Sequence, residues 1–146
     1  MPSGNRTSLY ARLVDLCEEF AAQGDIRCEV NLAAAHTRFD EEVSDVVYRT
    51  IRELLTNVRQ HAEAKRVTVS SMGRRDGSIG LTVDDDGIGL PAHKRRGNPW
   101  AESGGIGLWS IDQRLRDFDA VLDVESAAGH GTRAMVILPG KLIVGG

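Results

Sequence analysis

The stretch Ile79-Gly80-Leu81-Thr82-Val83-Asp84-Asp85-Asp86-Gly87-Ile88-Gly89 decides how this chain is read. Ile79, Leu81 and Val83 recur at every second position, the period of a strand with one face turned to a core. Asp85 then emerges at the strand end, where the backbone must turn sharply. Gly87 and Gly89 permit positive φ there and let a flat ligand approach the main chain. Three consecutive aspartates also suit a plain acidic turn, or a calcium loop. A calcium loop wants alternating ligands and a later bidentate Glu, and neither is present.

Working outward, Val67 and Val69 mark a second strand, joined to the first through the hairpin signal Arg74-Arg75-Asp76-Gly77. Upstream, Val47, Ile51, Leu54, Leu55, Val58 and Ala62 recur at helical spacing, behind Asp40 as N-cap and Glu41 and Glu42 as an acidic first turn. Leu9, Leu13, Leu16, Cys17 and Phe20 predict an amphipathic helix over 8–23, ended near Gly24, and Cys28, Val30 and Leu32 a half-buried strand. Downstream, residues 91–103 show no periodicity and carry Lys94-Arg95-Arg96; a loop of that length in a small domain is expected to be a lid. A helix over 107–118 and strands over 121–126 and 132–138 complete the pattern. About three helices and about five strands, adjacent at both chain ends, make a two-layer α+β sandwich with the helices on one face of a mixed sheet. Residues 1–7 read as a flexible lead, 8–140 as one domain and 141–146 as a tail.

Composition narrows the partners. The 146 residues are 41% apolar and 27% charged, enough for a single core, and the net charge of −3 argues against a dedicated nucleic-acid binder. No apolar run approaches the roughly 20 residues of a membrane span, and no signal peptide opens the chain, so a cytoplasmic setting without direct membrane contact is expected. Cys17 and Cys28 lie on apolar stripes without ligand spacing, as buried reduced thiols do.

Two further motifs carry chemistry. In Glu53-Leu54-Leu55-Thr56-Asn57-Val58-Arg59-Gln60-His61, residues Glu53, Asn57 and His61 are four apart and form one helical stripe bordering the apolar face. Such a stripe lines a cleft, or is simply a solvated helix edge. In Ser103-Gly104-Gly105-Ile106-Gly107-Leu108 a glycine run opens a helix, whose unpaired N–H groups suit phosphate. It does not follow the first strand of a βαβ unit, and no Gly-x-x-x-x-Gly-Lys-Ser/Thr loop occurs, so dinucleotide-binding and P-loop enzymes are excluded.

In this order the motifs resemble the asparagine box and two glycine boxes of the ATPase superfamily of gyrase, heat-shock chaperone, histidine kinase and mismatch-repair proteins. Gly129-His130-Gly131-Thr132 falls where histidine kinases carry their last glycine motif. The resemblance covers about residues 8–139 and is nearest to the catalytic ATP-binding domain of sensor histidine kinases that signal to LuxR-type response regulators. It implies a Bergerat-type fold, ATP and Mg²⁺ as ligands, and a specific site. Asn57 would coordinate Mg²⁺ and Glu53 would serve as base or orient the metal's waters. His61 would sit near the phosphates. Asp85 would accept the adenine amino group, with Gly87, Ile88 and Gly89 beside it. Gly105, Ile106, Gly107 and Leu108 would cradle phosphate, and Thr132 would touch phosphate or ribose. The sequence departs from the pattern at Gln60, where many relatives carry Lys or Arg, and at Asp119-Ala120, where relatives usually have Gly-Gly.

A phosphoacceptor is missing. His36, His61, His93 and His130 all lack a helix with the acidic neighbour that relatives place after their acceptor histidine. The chain is therefore expected to be the donor half, acting on the phosphoacceptor domain of a parent kinase and upstream of a response regulator, with at most slow hydrolysis on its own. An anti-sigma-factor-type serine kinase and a stand-alone ATPase of the same superfamily stay open.

Overall fold

The computed structural model describes residues 8–32, 37–89, 106–126 and 129–144, and of 106–109 the backbone only. His36, His93, Gly105 and the 91–103 segment read as a lid, with Lys94, Arg95 and Arg96, lie outside the described residues.

Two helices begin at side-chain caps. The Ser8 hydroxyl accepts the Ala11 N–H at 3.1 Å at the start of α1 (Leu9–Ala22). Asp40 accepts the Val43 N–H at 3.0 Å at the start of α2 (Glu41–Asn57), with Glu41 and Glu42 in its first turn. Each such cap contributes about 1 kcal/mol. Five strands, β1 (Arg27–Asn31), β2 (Arg66–Gly73), β3 (Ile79–Asp85), β4 (Val121–Ser126) and β5 (Thr132–Leu138), form one sheet in the order β1-β2-β3-β5-β4. Only β1 and β2 pair in parallel, and α2 supplies the crossover that a parallel pair needs. With α3 (Ile106–Asp117), the expected α+β arrangement of three helices on a mixed five-stranded sheet is the observed one.

The core lies between the layers. Leu13 and Phe20 of α1, Val47, Ile51 and Leu54 of α2, and Ile111 and Leu115 of α3 cluster with Val67, Val69, Leu81, Val83, Val124 and Val136 from the sheet. Burial alternates along β4 and β5, so one face meets the helices. β3 is paired along both edges and almost wholly buried, which makes its last residue, Asp85, the end of the central strand.

Several local expectations need correction. Val30 is 40% exposed, because β1 is a sheet edge; only Leu32, just beyond the strand, is buried. The long helix does not continue as α-helix to Ala62: residues Val58–Ala62 form a π turn, closed by Glu63 in a left-handed conformation. The segment read as a tail is anchored as far as Val144, through a 3₁₀ turn at Gly140–Leu142, a bridge from Ile143 to Phe39, and a 2.8 Å bond from Val144 N–H to the Arg38 carbonyl. Cys17 is buried and Cys28 half-buried, both free thiols. Their mutual hydrogen bond, then burial, pushes the Cys17 thiol up, and the same bond holds Cys28 down.

Asp119 shows how the chain manages without the usual glycine. It takes φ 61° after α3. The Ala120 N–H reaches the Leu115 carbonyl at 2.9 Å and the Asp119 N–H reaches the Arg116 carbonyl at 3.0 Å. Those two bonds are the Schellman pair that satisfies the last carbonyls of a helix.

Candidate functional site

Where β3 ends, Asp85 lies opposite Thr132, the first residue of β5. Asp85 is buried, with 5% of the residue exposed. Oδ1 accepts the Gly87 N–H at 2.8 Å, an i to i+2 turn, and the Thr132 N–H also donates to the carboxylate. Burial pushes this carboxyl above the usual range; the two amides pull it back, and the charges of Asp84 and Asp86 push it up again. Its neighbours have other work. Asp86 is exposed and accepts the Arg66 and Lys65 N–H groups at 3.0 and 2.8 Å, which tie the start of β2 and hold its carboxyl low. Asp84 pairs with Arg133 at 3.1 Å across the strands.

The backbone around Asp85 is packed to contact. A Cβ on Gly87 would lie 2.0 Å from the Ala62 carbonyl oxygen, and one on Gly131, at φ 87°, would lie 2.0 Å from the carbonyl oxygen of Asp85. The Ile88 N–H reaches the same Ala62 carbonyl at 2.8 Å, and the Gly129 N–H reaches the Ile88 carbonyl at 2.7 Å. Three segments therefore meet here: the π turn after α2, the exit of β3, and the turn before β5. Gly87 and Gly89 were both expected to allow positive φ. Gly89 takes it, at 77°, while Gly87 does not and makes room for the π turn. Ile88 is exposed and Gly89 half-buried. Thr132 is buried, with its hydroxyl 3.1 Å from the Ser126 hydroxyl and its N–H on Asp85.

On α2, Glu53 and Asn57 are half-buried at the helix edge. Neither side chain has a hydrogen-bond partner among the described residues. His61 lies in the π turn that follows α2 and is exposed, where Glu53 and Asn57 are half-buried. Arg59 turns away from the cleft, as one step along a helix requires. Its guanidinium pairs with Asp25, donates to the Phe20 carbonyl at 2.8 Å and lies 4.0 Å from the Phe20 ring centre. Arg59 therefore ties α2 to the end of α1, a role that local sequence reading missed because its partners are 34 and 39 residues away. Ile106, Gly107 and Leu108 form the first turn of α3, whose leading N–H groups lack intrahelical partners.

A family model of histidine kinase-, DNA gyrase B- and HSP90-like ATPases matches residues 42–142, from the first turn of α2 to the 3₁₀ turn after β5. The chain belongs to that ATPase family. ATP binding comes with it. The sensor histidine kinase YdfH of Bacillus subtilis is 28% identical over 131 residues, covering 90% of this chain and 31% of that protein. The oxygen sensor histidine kinase NreB of Staphylococcus carnosus is 30% identical over 102 residues, 70% of this chain and 28% of that one. The chain thus spans about a third of the length of the curated relatives it matches. Among solved structures, the histidine kinase domain of the blue-light activated histidine kinase of Erythrobacter litoralis superposes with a TM-score of 0.72 at 24% identity, over 93% of this chain and 64% of that one. The mycobacterial sensor histidine kinase MprB gives 0.67 at 22% identity, over 91% and 96%. At such identities these superpositions speak for the fold.

Proposed function

We propose that this chain is the ATP-binding catalytic domain of a two-component sensor histidine kinase. It would donate the γ-phosphate of Mg-ATP to a histidine on the parent's separate dimerisation and phosphoacceptor domain, upstream of a LuxR-type response regulator in the cytoplasm. The observation that carries this reading is Asp85: a buried carboxylate at the end of the central strand, held by two backbone amides and pushed towards the neutral form by its surroundings. Such a group is costly to keep and has no ion-pair partner among the described residues, so its natural counterpart is a donor on a ligand. The adenine amino group is such a donor, and guanine presents an acceptor at that position.

The other residues take roles that fit their surroundings. Asn57, half-buried and without a side-chain partner among the described residues, offers the oxygen that a hard cation such as Mg²⁺ prefers, and the ion would neutralise charge on the phosphates. Glu53, one helical turn back, is in place to orient the acceptor or the metal's waters, or to take a proton. The start of α3, Gly105 to Leu108, would receive phosphate through its free N–H groups. Gly87, Ile88 and Gly89 form the wall beside Asp85, with Ile88 exposed for contact with the base. Thr132 supports Asp85 through its N–H, and His61 stands at the solvent-facing end of the helix. His61 and His130 are exposed outside α-helical segments, so neither is placed as a phosphoacceptor. The domain would run from residue 8 to the last anchored residue, Val144. Among the described residues no helix is long and apolar enough to cross a membrane.

Calorimetry with ADP, ATP and GTP tests the reading. ADP and ATP should bind and GTP should bind weakly. Asp85→Ala should lower adenine-nucleotide affinity ten- to a hundredfold, the loss of roughly 1.5–3 kcal/mol from a hydrogen bond to a charged group. Unchanged affinity in a folded variant would overturn the assignment of Asp85.

A further inference from the structure

On the helical layer, away from the strand ends, a cleft of about 550 Å³ opens between α1, α2 and α3. Four arginines line it: Arg12 from α1, Arg49 and Arg52 from α2, and Arg114 from α3. Val46 and Ile111 form a buried apolar floor, and Tyr48 and Ser110 supply a ring and a hydroxyl. None of Glu53, Asn57, Asp85, Gly87 or Thr132 lines it, so it is not the nucleotide site.

The charge arrangement in this cleft is one-sided. On other faces Arg59 has Asp25, Arg66 has Glu29, Arg116 has Asp112 and Arg133 has Asp84 beside it, while exposed arginines without a paired acid among the described residues, such as Arg27 and Arg75, do not line this cleft. Among the described residues one acid lines the cleft, Asp45; it is bound by Arg12 at 2.8 Å, and Arg12 also stacks over Tyr48 at 4.4 Å. Arg49, Arg52 and Arg114 are exposed, and their guanidinium groups have no ion pair or hydrogen bond among the described residues. Three uncompensated guanidinium groups around one concavity repel one another, in a chain whose net charge is −3. An anion seated between them would be attracted by all three at once.

We propose that this cleft is a binding site for a small polyanion, a molecule carrying two or more phosphate or carboxylate groups. The volume lies within the range of small-molecule sites, and guanidinium forks from two helices match such groups in bidentate fashion. The Arg12–Asp45 pair fixes one wall, while Arg49 and Arg52 on α2 and Arg114 on α3 converge from the other sides.

The test is an amide-resolved NMR titration of the full chain with inorganic pyrophosphate in magnesium-free buffer, alongside orthophosphate and a hexaglutamate peptide. Pyrophosphate should give saturable shifts at residues 48–52 and 110–114, with orthophosphate at least tenfold weaker. The triple variant R49Q/R52Q/R114Q should lose at least tenfold in that affinity and keep any response at residues 87–89. Shifts confined to 87–89, or equal affinity in the folded triple variant, would overturn the proposal. So would hexaglutamate saturating the cleft where pyrophosphate does not, since that result describes a protein-docking surface.

Discussion

Two aspartates close the same local loop at opposite ends of β3. Before the strand, Asp76 Oδ1 accepts the Ser78 N–H at 2.9 Å; at its end, Asp85 Oδ1 accepts the Gly87 N–H at 2.8 Å. The local chemistry is alike, since both are i to i+2 turns made by a short acidic side chain. The surroundings are opposite. Asp76 is exposed, and the Ser78 hydroxyl and amide hold its carboxyl below the usual range. Asp85 is buried, and desolvation pushes its carboxyl up. A hairpin turn needs nothing more than Asp76. The burial of Asp85 goes beyond what a turn requires, and stability given up at a strand end in a cleft is the mark of a binding site.

The largest effect should come from the glycines beside these two turns. Gly77 and Gly131 share the same backbone conformation, φ 87°, but a Cβ on Gly77 meets open space and one on Gly131 would lie 2.0 Å from the Asp85 carbonyl oxygen. Gly77→Ala should cost about 1–2 kcal/mol, the penalty of a left-handed residue. Gly131→Ala adds forced backbone displacement and should cost about 3 kcal/mol or more in all. Urea unfolding midpoints of the two variants decide it. Equal losses would mean that the Asp85 end is no more tightly packed than the hairpin.

A smaller effect separates the two carboxylates by the sign of their pH dependence. The Asp76 carboxyl is lower in the folded state, so it contributes stability above the ordinary carboxylate range that is lost as pH falls through the folded value. The Asp85 carboxyl is higher in the folded state, so it withdraws stability as pH rises through the ordinary range, and the withdrawal is complete above its raised value. Against Asp76→Asn, the parent protein should therefore gain relative stability between about pH 3 and about pH 7, and against Asp85→Asn it should lose it. Thermal unfolding of the three proteins across that range gives both slopes. Parallel slopes would remove the contrast.

Most of the fold and the motif positions were legible because they are written in short-range spacing. The caps at Ser8 and Asp40, the alternation in β2 to β5, and Asp85 at a strand end all depend on residues within a few positions. What escaped was tertiary. The π turn at Val58–Ala62 leaves no periodic signal, because five residues are too few to show a changed period, and His61 within it is exposed. The glycine at 87 gave no local sign that it also seats the Ala62 carbonyl, a neighbour 25 positions away in the chain. Arg59 likewise gave no local sign of its role as a strut to α1. The arginine cleft combines side chains from three helices, no two of which are adjacent in the fold's chain order without a strand between.

The smallest effect concerns a third aspartate that serves the backbone alone. Asp119 holds the left-handed position after α3, and its side chain pairs with Lys141, both side chains being well exposed. Asp119→Gly would relieve about 1 kcal/mol of left-handed strain, less than for a bulkier residue because a short polar side chain tolerates that conformation. It would lose a surface ion pair worth about 0–1 kcal/mol and add unfolded-state entropy worth about 0.4–1 kcal/mol. These terms nearly cancel, so Asp119→Gly should lie within about 0.5 kcal/mol of the parent at low salt. Salt makes the balance readable. Screening weakens the Lys141 pair in the parent and leaves the strain untouched, so raising ionic strength should move Asp119→Gly towards greater relative stability. Lys141→Ala should erase that salt response, because it removes the pair from both proteins. Urea midpoints of the parent, the two single variants and the double variant, at low and high salt, measure it. A salt response that persists without Lys141 would show that Asp119 acts through a longer-range field, and not as a helix-end residue with one surface partner.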